Sequence, residues 1–449
     1  MHEADPGVAI AAPGKGRAER TLDVLSFVLS DVRYGLGAYL SVYLLTVHHW
    51  DEASIGLALS FGGLVGLASQ TPLGAMVDAV QRKRALLGFA VIIVTATCLV
   101  IPLSPHFWSV AVAGVIGGLA GTTISPALAA ISLGIVGPRC FAYRAGRNEA
   151  LFHLGNGAIN VVILLTAPFL GTPVVFWMMG LTAIASVLAV RAVPSAAINH
   201  ELARGLLPDA DGHLTRPSLW STLISSRPLL VFAVCGAFFH LANGSMLGLV
   251  AQKLALAFPG QTIALTAACA IAAQSVMVPA AMLAARRADD WGRKPLLLAA
   301  FVALALRGVL YTVWDHPGWL ITVQLLDGVG AGLIGALFPV VVADLTRGSG
   351  HFNAAQGAVG TVHAVGGVIS GALGGSIVVM AGYHAAFLTL AGFAAIGAVL
   401  FWVFMPETRT SSTRFQPGDL GPREGGPTPL QVEAFEPAAQ HQAVIPNPR

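Results

Sequence analysis

Twelve long apolar runs constrain the fold of this chain more than any other feature. One bilayer crossing needs about 20 mostly apolar residues. These runs are continuous rather than ten-residue alternating segments, which excludes a membrane β-barrel. Hydrophobic residues make up 55% of the chain and charged residues 10%, against roughly 25% charged residues in soluble domains, so the chain uses lipid as its solvent. We expect an all-α membrane protein with twelve transmembrane helices. The predicted crossings are residues 22–46, 53–77, 85–104, 108–136, 149–170, 172–193, 228–251, 262–284, 296–314, 319–344, 355–380 and 384–405.

Lysine and arginine predict the orientation of the chain, because they prefer cytoplasmic loops. With these crossings, 22 of the 25 Lys and Arg residues fall on one side of the membrane and Lys253 alone falls on the other, while Arg33 and Arg307 lie inside crossings. Both termini are therefore expected in the cytoplasm, in a multi-pass protein of a plasma membrane of the bacterial inner-membrane type. The apolar run that begins at Leu22 is too long for a signal peptide and is expected to remain as the first helix.

The sequence repeats itself at an offset of about 210 residues. Segment 74–83 recurs as 285–294, and the HLGNG of 153–157 recurs as the HAVGG of 363–367. Each half carries six crossings, an even number, so both halves insert in the same orientation. Parallel repeats of this kind place a substrate site at mid-membrane between the halves. The expected division is a cytoplasmic segment 1–21, a six-helix bundle 22–193, a cytoplasmic loop 194–227, a second bundle 228–405 and a disordered, proline-rich tail 406–449.

The two repeated loops resemble the G-x-x-x-D-R-x-G-R-K signature of the major facilitator superfamily. The first copy has Ala79 and Gln81 where the family usually has Arg and Gly. The matching residues are Gly74, Asp78, Arg82 and Lys83 in the first copy and Asp289, Gly292, Arg293 and Lys294 in the second.

The resemblance covers residues 22–405 and implies the fold and mechanism of that family. Two six-helix bundles would rock against each other to give alternating access, with the two loops acting as cytoplasmic gates. Asp78 can cap the N-terminus of a facing helix, and Arg82 can pair across the seam between the bundles. The alternative is that these loops are basic only because cytoplasmic loops carry Lys and Arg, and that the aspartate only caps a helix.

Charged side chains inside crossings are candidates for solute and proton contacts, because charges are costly in lipid. Asp31 and Arg33 lie roughly 14 to 17 Å deep in the first crossing, at 1.5 Å per residue. Residues two apart face opposite sides of a helix, so at least one should face a central cavity. The repeat aligns the first-crossing pair Asp31 and Tyr34 with His240 and Asn243. In the superfamily, crossings 1, 4, 7 and 10 line the cavity; a buried pair that only joins helices is the alternative.

The fifth crossing carries a polar stripe. Glu149, His153, Asn156 and Asn160 follow helical spacing, and His363 lies in the matching stripe of the eleventh crossing. Such groups must face protein or water rather than lipid. The resemblance places both crossings at the seam between the halves. A coupling role is expected for Glu149, His153 and His363, and interhelical packing remains the alternative.

Arg307 and Asp327 are expected to form a structural ion pair inside the membrane. Both lie about 10 to 12 Å below the outer surface in adjacent crossings, at 1.5 Å per residue. The four cysteines share no metal-ligand spacing, and a short turn explains the histidines at 48 and 49. No metal and no cofactor are expected.

The function expected from these features is secondary transport of a small solute by alternating access, coupled to protons. The sequence contains no phosphate-binding loop that would indicate ATP drive and no enzyme motif. Drug or metabolite efflux by proton antiport and uncoupled facilitation remain alternatives. The expected partners are the solute, protons and lipid, with no nucleic acid, and the protein is expected to be monomeric.

Overall fold

The computed structural model describes residues 15–34, 36, 40, 43–44, 47–50, 52–170, 173–206, 218–258 and 262–409, and this part of the chain is almost entirely helical. The first repeat contains α1 Lys15–Val28, α2 Ser30–Tyr34, α3 Glu52–Ala79, α4 Lys83–Val100, α5 Phe107–Val136, α6 Pro138–Leu170 and α7 Val174–Ala192. A short α8 Leu219–Ser225 precedes α9 Arg227–Asn243, α10 Met246–Ala257, α11 Thr262–Trp291, α12 Arg293–Leu310, α13 Pro317–Val323, α14 Leu325–Leu345 and α15 Phe352–Phe404.

These helices follow the predicted crossings, except that most of residues 35–46 of the first crossing lies outside the described residues. Seven helical stretches within the described residues are long and apolar enough to span a bilayer by themselves. The last of them, α15, holds two predicted crossings, because Gly382 has φ 83° and breaks the helix between them. Several helices extend past the apolar runs; α6, for example, begins eleven residues before the predicted crossing at 149.

Besides the first crossing, whose helix is interrupted at Leu29 between α1 and α2, two crossings have an interrupted helix within the described residues. The helix of the seventh crossing breaks between α9 and α10 at residues 244–245, and that of the tenth breaks at Gln324, between α13 and α14. Broken helices at membrane depth leave backbone groups that neighbouring side chains must satisfy. A buried polar network meets both breaks, as described below.

The repeat seen in the sequence is also a repeat of helix packing. A Cβ at Gly155 would collide with the backbone oxygen of Phe27, and a Cβ at Gly366 would collide with the backbone oxygen of Ala237. Both partner residues are offset by about 210, so the same close crossing occurs once in each half. Small residues let membrane helices approach in this way.

Helices of the two repeats meet along a seam. α6 packs against α11 and α14, and α3 packs against α15. A Cβ at Gly146 would lie 2.6 Å from the Cβ of Ala285, which shows how closely α6 and α11 approach. We call the end of the molecule with residues 80–82 and Gly292 the signature end. The seam is tightly packed there.

The segments at the signature end are more ordered than their composition indicates. Within the predicted central loop, Asn199 donates a backbone hydrogen bond to Gly134 and Gly205 accepts one from Gly348. Residues 406–409, assigned by composition to the disordered tail, are bonded to the second signature loop. Residues 410–449 lie outside the described residues, as do 207–217.

Candidate functional site

A cavity of about 290 Å³ lies on the seam, between α2, α3, α5 and α6 of the first repeat and α14 and α15 of the second. Its walls combine aromatic and small residues with several polar side chains. A largely preformed pocket with a few convergent polar groups is the usual form of a small-molecule site. The polar side chains on its wall include Arg33, Gln70, Thr122, Ser125, Glu149 and Gln356.

An ion pair forms the charged part of this wall. Arg33 Nη1 donates to Glu149 Oε2 at 3.1 Å, and the two side chains are 29% and 13% exposed. The Arg33 guanidinium also lies 4.2 Å from the centre of the Phe152 ring, a cation–π arrangement. The pair joins α2 to α6 at the cavity surface, so either partner can meet a bound solute.

Glu149 also contacts the second repeat. Its Oε1 lies against α14, where a Cβ at Gly335 would come within 2.8 Å, and 3.5 Å from His153 Nε2. His153 Nδ1 is 2.9 Å from Gln274 Oε1 of α11 across the seam. His153 Nε2 is buried and makes no hydrogen bond among the described residues. A carboxylate and an unsatisfied imidazole nitrogen therefore lie side by side on the seam.

Asp31 lies elsewhere, which differs from the expectation that it would be a main solute contact. Its carboxylate accepts a hydrogen bond from Thr182 of α7 at 2.9 Å, and it is absent from the described cavity wall. The side chains of Asp31 and Arg33 do diverge, as their spacing requires, and only Arg33 faces the cavity. The side chain of Tyr34 lies outside the described residues.

The two histidines of the second repeat form a stack behind the cavity. The His240 and His363 ring centroids are 5.2 Å apart, and His363 also packs on Phe232 and Phe338. His363 Nε2 is 3.4 Å from the Phe232 carbonyl oxygen. Phe338 lines the cavity, so the stack is one side chain away from it.

The remaining residues of the polar stripe on α6 bond to each other. Asn160 Nδ2 donates to Asn156 Oδ1 at 2.9 Å and to the Asn156 carbonyl oxygen at 2.8 Å. Neither residue is on the described wall of the cavity. Along the stripe, Glu149 therefore lines the cavity and His153 lies on the seam, while Asn156 and Asn160 bond to each other.

Arg307 is the centre of a buried network that joins the two broken crossings. It is 0% exposed and donates to Asp327 at 2.7 Å and to Asn243 at 2.5 Å. It also donates to the Tyr311 hydroxyl at 3.0 Å and to Gln324 at 3.1 Å. The structure therefore places Asn243, expected as a solute contact, at the break after α9. Every guanidinium nitrogen has a partner, as a structural role requires.

The first signature loop joins the two repeats. The Asp78 carboxylate accepts hydrogen bonds from the backbone N–H groups of Asn353 at 3.1 Å and Ala354 at 2.9 Å, and from Asn353 Nδ2 at 2.7 Å. It thus caps the N-terminus of α15, as predicted from the sequence. Gly74 allows α3 to reach that turn, because a Cβ would collide with the Asn353 carbonyl oxygen.

The basic residues of the first loop have different roles from those expected. Arg82 is exposed and forms no pair across the seam within the described residues. Lys83 is buried and donates to the carbonyl oxygens of Val77 at 2.6 Å and Val80 at 3.1 Å. Lysine therefore satisfies the last carbonyls of α3, a usual place for a basic side chain.

The second signature loop is bonded within its own repeat. Arg293 pairs with Asp289 at 2.7 Å and with Asp344 of α14 at 3.1 Å. The Glu407 carboxylate accepts from the backbone N–H groups of Arg293 at 2.9 Å and Lys294 at 3.1 Å, which caps α12. Gly292 has φ 94° at the turn, a conformation that favours glycine. Among the described residues, only the first of the two loops connects the repeats through a carboxylate.

The family model of the Major Facilitator Superfamily matches residues 22–286 and 233–442, which together span most of the chain. The chain belongs to the Major Facilitator Superfamily. Two Mycobacterium tuberculosis proteins, from strains CDC 1551/Oshkosh and H37Rv, are each described as an uncharacterized MFS-type transporter. Each is 46% identical over 408 residues, which is 91% of this chain and 97% of the relative.

Solved structures of the superfamily share this fold. The human organic anion transporter MFSD10 (TETRAN) matches with a TM-score of 0.65 and 18% identity, over 87% of this chain and 100% of that one. The proton:xylose symporter XylE, bound to 6-bromo-6-deoxy-D-glucose, matches with a TM-score of 0.63 and 14% identity, over 88% and 96%. Membership of the superfamily confirms the twelve-helix membrane fold, and its members carry small solutes rather than catalyse reactions.

Sequence reasoning missed part of the cavity wall. Gln70 lines it from α3, and Thr122 and Ser125 line it from α5, while Gln356 of the wall belongs to the polar stripe of the eleventh crossing. Gln70, Thr122 and Ser125 are uncharged and lie outside the polar stripes of the fifth and eleventh crossings. A usable signal was present, because Ser125 precedes Pro126 at the centre of a superfamily cavity helix.

Proposed function

We propose that the protein is a proton-coupled secondary transporter of a small solute, with the Arg33–Glu149 cavity as its solute site. The observation that carries the proposal is an ion pair on the wall of a cavity bounded by both repeats. Ionisable groups at membrane depth are costly and mark solute or proton pathways. Transport of solutes across a membrane follows from the family; the coupling and the site are the proposal.

Coupling follows from the unequal chemistry of the two partners. Arginine stays protonated in proteins, whereas a carboxylate can be neutralised by a proton. A solute that takes the place of Glu149 on Arg33 leaves that carboxylate without its ion-pair partner in a largely buried position. Breaking a buried pair in this way is costly, and protonation of Glu149 removes the cost. His153, 3.5 Å away with an unsatisfied nitrogen, is the neighbour through which the proton exchanges.

The closed signature end supports alternating access. The Asp78 cap on α15 and the close packing of α6 on α11 hold the repeats together there. In the proposed cycle this end faces the cytoplasm of a plasma membrane, both termini lie on that side, and the protein works as a monomer. Opening of the signature end would require the Asp78 bonds to break.

Internal pH in proteoliposomes tests the proposal. A dye inside the vesicles reports proton movement while a panel of solutes is added outside, and an active solute should move protons with wild-type protein. Glu149→Gln should abolish the proton signal. Asp31→Asn is the matched control, since Asp31 is a carboxylate two residues from Arg33 on the first crossing but bonds to Thr182 away from the cavity.

Three outcomes distinguish the alternatives. Solute-dependent alkalinisation of the vesicle interior under inward solute movement indicates antiport, which is the efflux alternative. Solute flux that continues after the proton gradient is collapsed indicates an uncoupled facilitator. A proton signal that survives Glu149→Gln but disappears in Asp31→Asn would remove the site from the proposal.

A further inference from the structure

A second, apolar chamber opens from the same ion pair. It measures about 250 Å³ and lies between the first crossing, α4 and α5. Val94, Val110 and Ile101 form much of its wall, together with the glycines of α5 from Gly114 to Gly121. Arg33 and Gly121 line both the chamber and the central cavity, so the two spaces adjoin at these residues.

We propose that the transported solute is an amphipathic organic anion. Its anionic group, a carboxylate or one of similar geometry, binds Arg33 in the central cavity, and its apolar part lies in the chamber beside α5. The proposal rests on the proposed function and specifies the substrate class for the same site.

The charge of the solute follows from the ion pair. A cationic solute would bind Glu149 and displace Arg33, whose charge cannot be removed by deprotonation. That would leave a permanent charge without its carboxylate in a site where Arg33 is 29% exposed. An anionic solute displaces Glu149 instead, and one proton neutralises the displaced carboxylate. Anion and proton then enter together, and the net charge of the site is unchanged.

The apolar part follows from the chamber wall. Arg33 supplies the charge at its mouth, and the Thr97 hydroxyl already donates to the Val94 carbonyl oxygen at 2.8 Å. The described wall of the chamber therefore offers little hydrogen bonding to a polar group. At roughly 30 Å³ for each water-sized group, its volume accommodates a chain of about eight carbons. Removing a CH₂ group from water favours binding by about fourfold, from about 0.8 kcal/mol each.

Gly121 offers a way to fill the chamber without changing the ion pair. A Cβ at this position would lie 3.9 Å from Val94 Cγ2, an ordinary contact, so Gly121→Ala should fold normally. Gly121→Val adds two more methyl groups at the junction of the two spaces. Gly180→Val is the matched control, because a Cβ at Gly180 meets nothing within 4 Å and the residue lines neither space.

Calorimetric titration of the full chain in lipid nanodiscs tests the inference, with empty nanodiscs subtracted. The probes are straight-chain monocarboxylates from acetate to octanoate, with octanol and octylamine as neutral and cationic counterparts. Affinity should rise about twofold to fourfold with each CH₂ group, and octanoate should bind at least tenfold more tightly than either counterpart. Gly121→Val should weaken octanoate binding at least tenfold more than it weakens acetate binding, and Gly121→Ala should show the same difference to a smaller degree.

Each contrary result identifies what fails. Carboxylate affinity that does not depend on chain length would contradict binding of the apolar part in the chamber. Equal losses of octanoate affinity in Gly121→Val and Gly180→Val would contradict it as well. Octylamine binding as tightly as octanoate, or octanoate binding unchanged in Arg33→Gln, would overturn the anion assignment. A neutral or cationic solute that drives Glu149-dependent proton movement would also overturn it and leave the proposed function intact. Octanoate binding as expected, without proton movement, would instead overturn the coupling.

Discussion

Removal of the Asp78 carboxylate should open the signature end. Asp78→Ala leaves the backbone N–H groups of Asn353 and Ala354 buried without their acceptor. Each unsatisfied buried donor costs about 1 to 3 kcal/mol, so the closed arrangement should lose about 3 kcal/mol. At about 1.4 kcal/mol per tenfold change, the ratio of closed to open molecules should fall by roughly a hundredfold.

Spin-label distances across the signature end measure this ratio. Gln81 and Arg286 are exposed and belong to different repeats, so a label on each reports the separation of the two loops. The exposed Cys140 is first replaced by serine to prevent unwanted labelling. The parent protein should give a predominantly short distance, and Asp78→Ala should raise the population of a longer one relative to the short one by roughly a hundredfold.

Asp289→Ala is the matched control at the equivalent position of the second repeat. Its carboxylate is 51% exposed and pairs with Arg293 on the adjoining helix, within its own repeat. It should leave the distance distribution nearly unchanged. If Asp78→Ala keeps the short distance while remaining monodisperse, the hydrogen bonds of Asp78 do not hold this end closed.

Three further predictions concern stability. Arg307→Leu alone or Asp327→Leu alone should lower thermal stability more than the double variant does. Each single variant leaves one buried charge without its partner, at a cost of about 3 to 5 kcal/mol. Equal losses of stability in all three variants would contradict the pairing. Gly366→Ala should destabilise the protein and Gly367→Ala should not, since only the first Cβ meets backbone; similar melting temperatures would refute the close crossing. The hydrogen bond from Lys253 holds the pKa of Asp315 below its ordinary value of 3.8. The small stabilisation from this ion pair is therefore present above pH 3.8 and is lost as the pH falls below it. The difference in melting temperature between wild type and Asp315→Asn should therefore stay nearly constant while the pH is above 3.8 and shrink as the pH falls below that value.

Much of the fold is predictable from the sequence because lipid imposes a simple rule on helix length. The described helices follow the apolar runs, and the break at Gly382 lies between the predicted eleventh and twelfth crossings. The contact between Arg307 and Asp327 also followed from depth, because the two residues lie in adjacent crossings. The depth of a residue within a crossing follows from its position along the chain, so it can be predicted from a single sequence.

The site was less predictable because it depends on how each helix is rotated. Arg33 and Glu149 are 116 residues apart and meet only because α2 and α6 present these faces to each other. Spacing showed that Asp31 and Arg33 diverge but not which of them faces the cavity. The apolar chamber carries no sequence signal, since its glycines resemble those used for helix packing.

The two repeats contribute unequally to the charged wall of the cavity. The sequence pairs Asp31 with His240, yet the charged cavity wall comes from Arg33 and Glu149 in the first repeat. The second repeat contributes Phe338, the uncharged Gln356 and backbone near Gly335, and the Arg307 network lies apart from the described cavity wall. We therefore expect the first repeat to determine charge selectivity and the second to supply most of the structural support.

Accumulation against a gradient tests the role of the Arg33–Glu149 pair most directly. Glu149→Gln proteoliposomes are compared with wild type in two assays of one transported solute: exchange at equal concentrations, and accumulation driven by a pH gradient. The variant should retain exchange, because Arg33 still binds the solute, and should lose pH-driven accumulation, because the proton carrier is gone. Accumulation at the wild-type level in Glu149→Gln would contradict coupling through this ion pair.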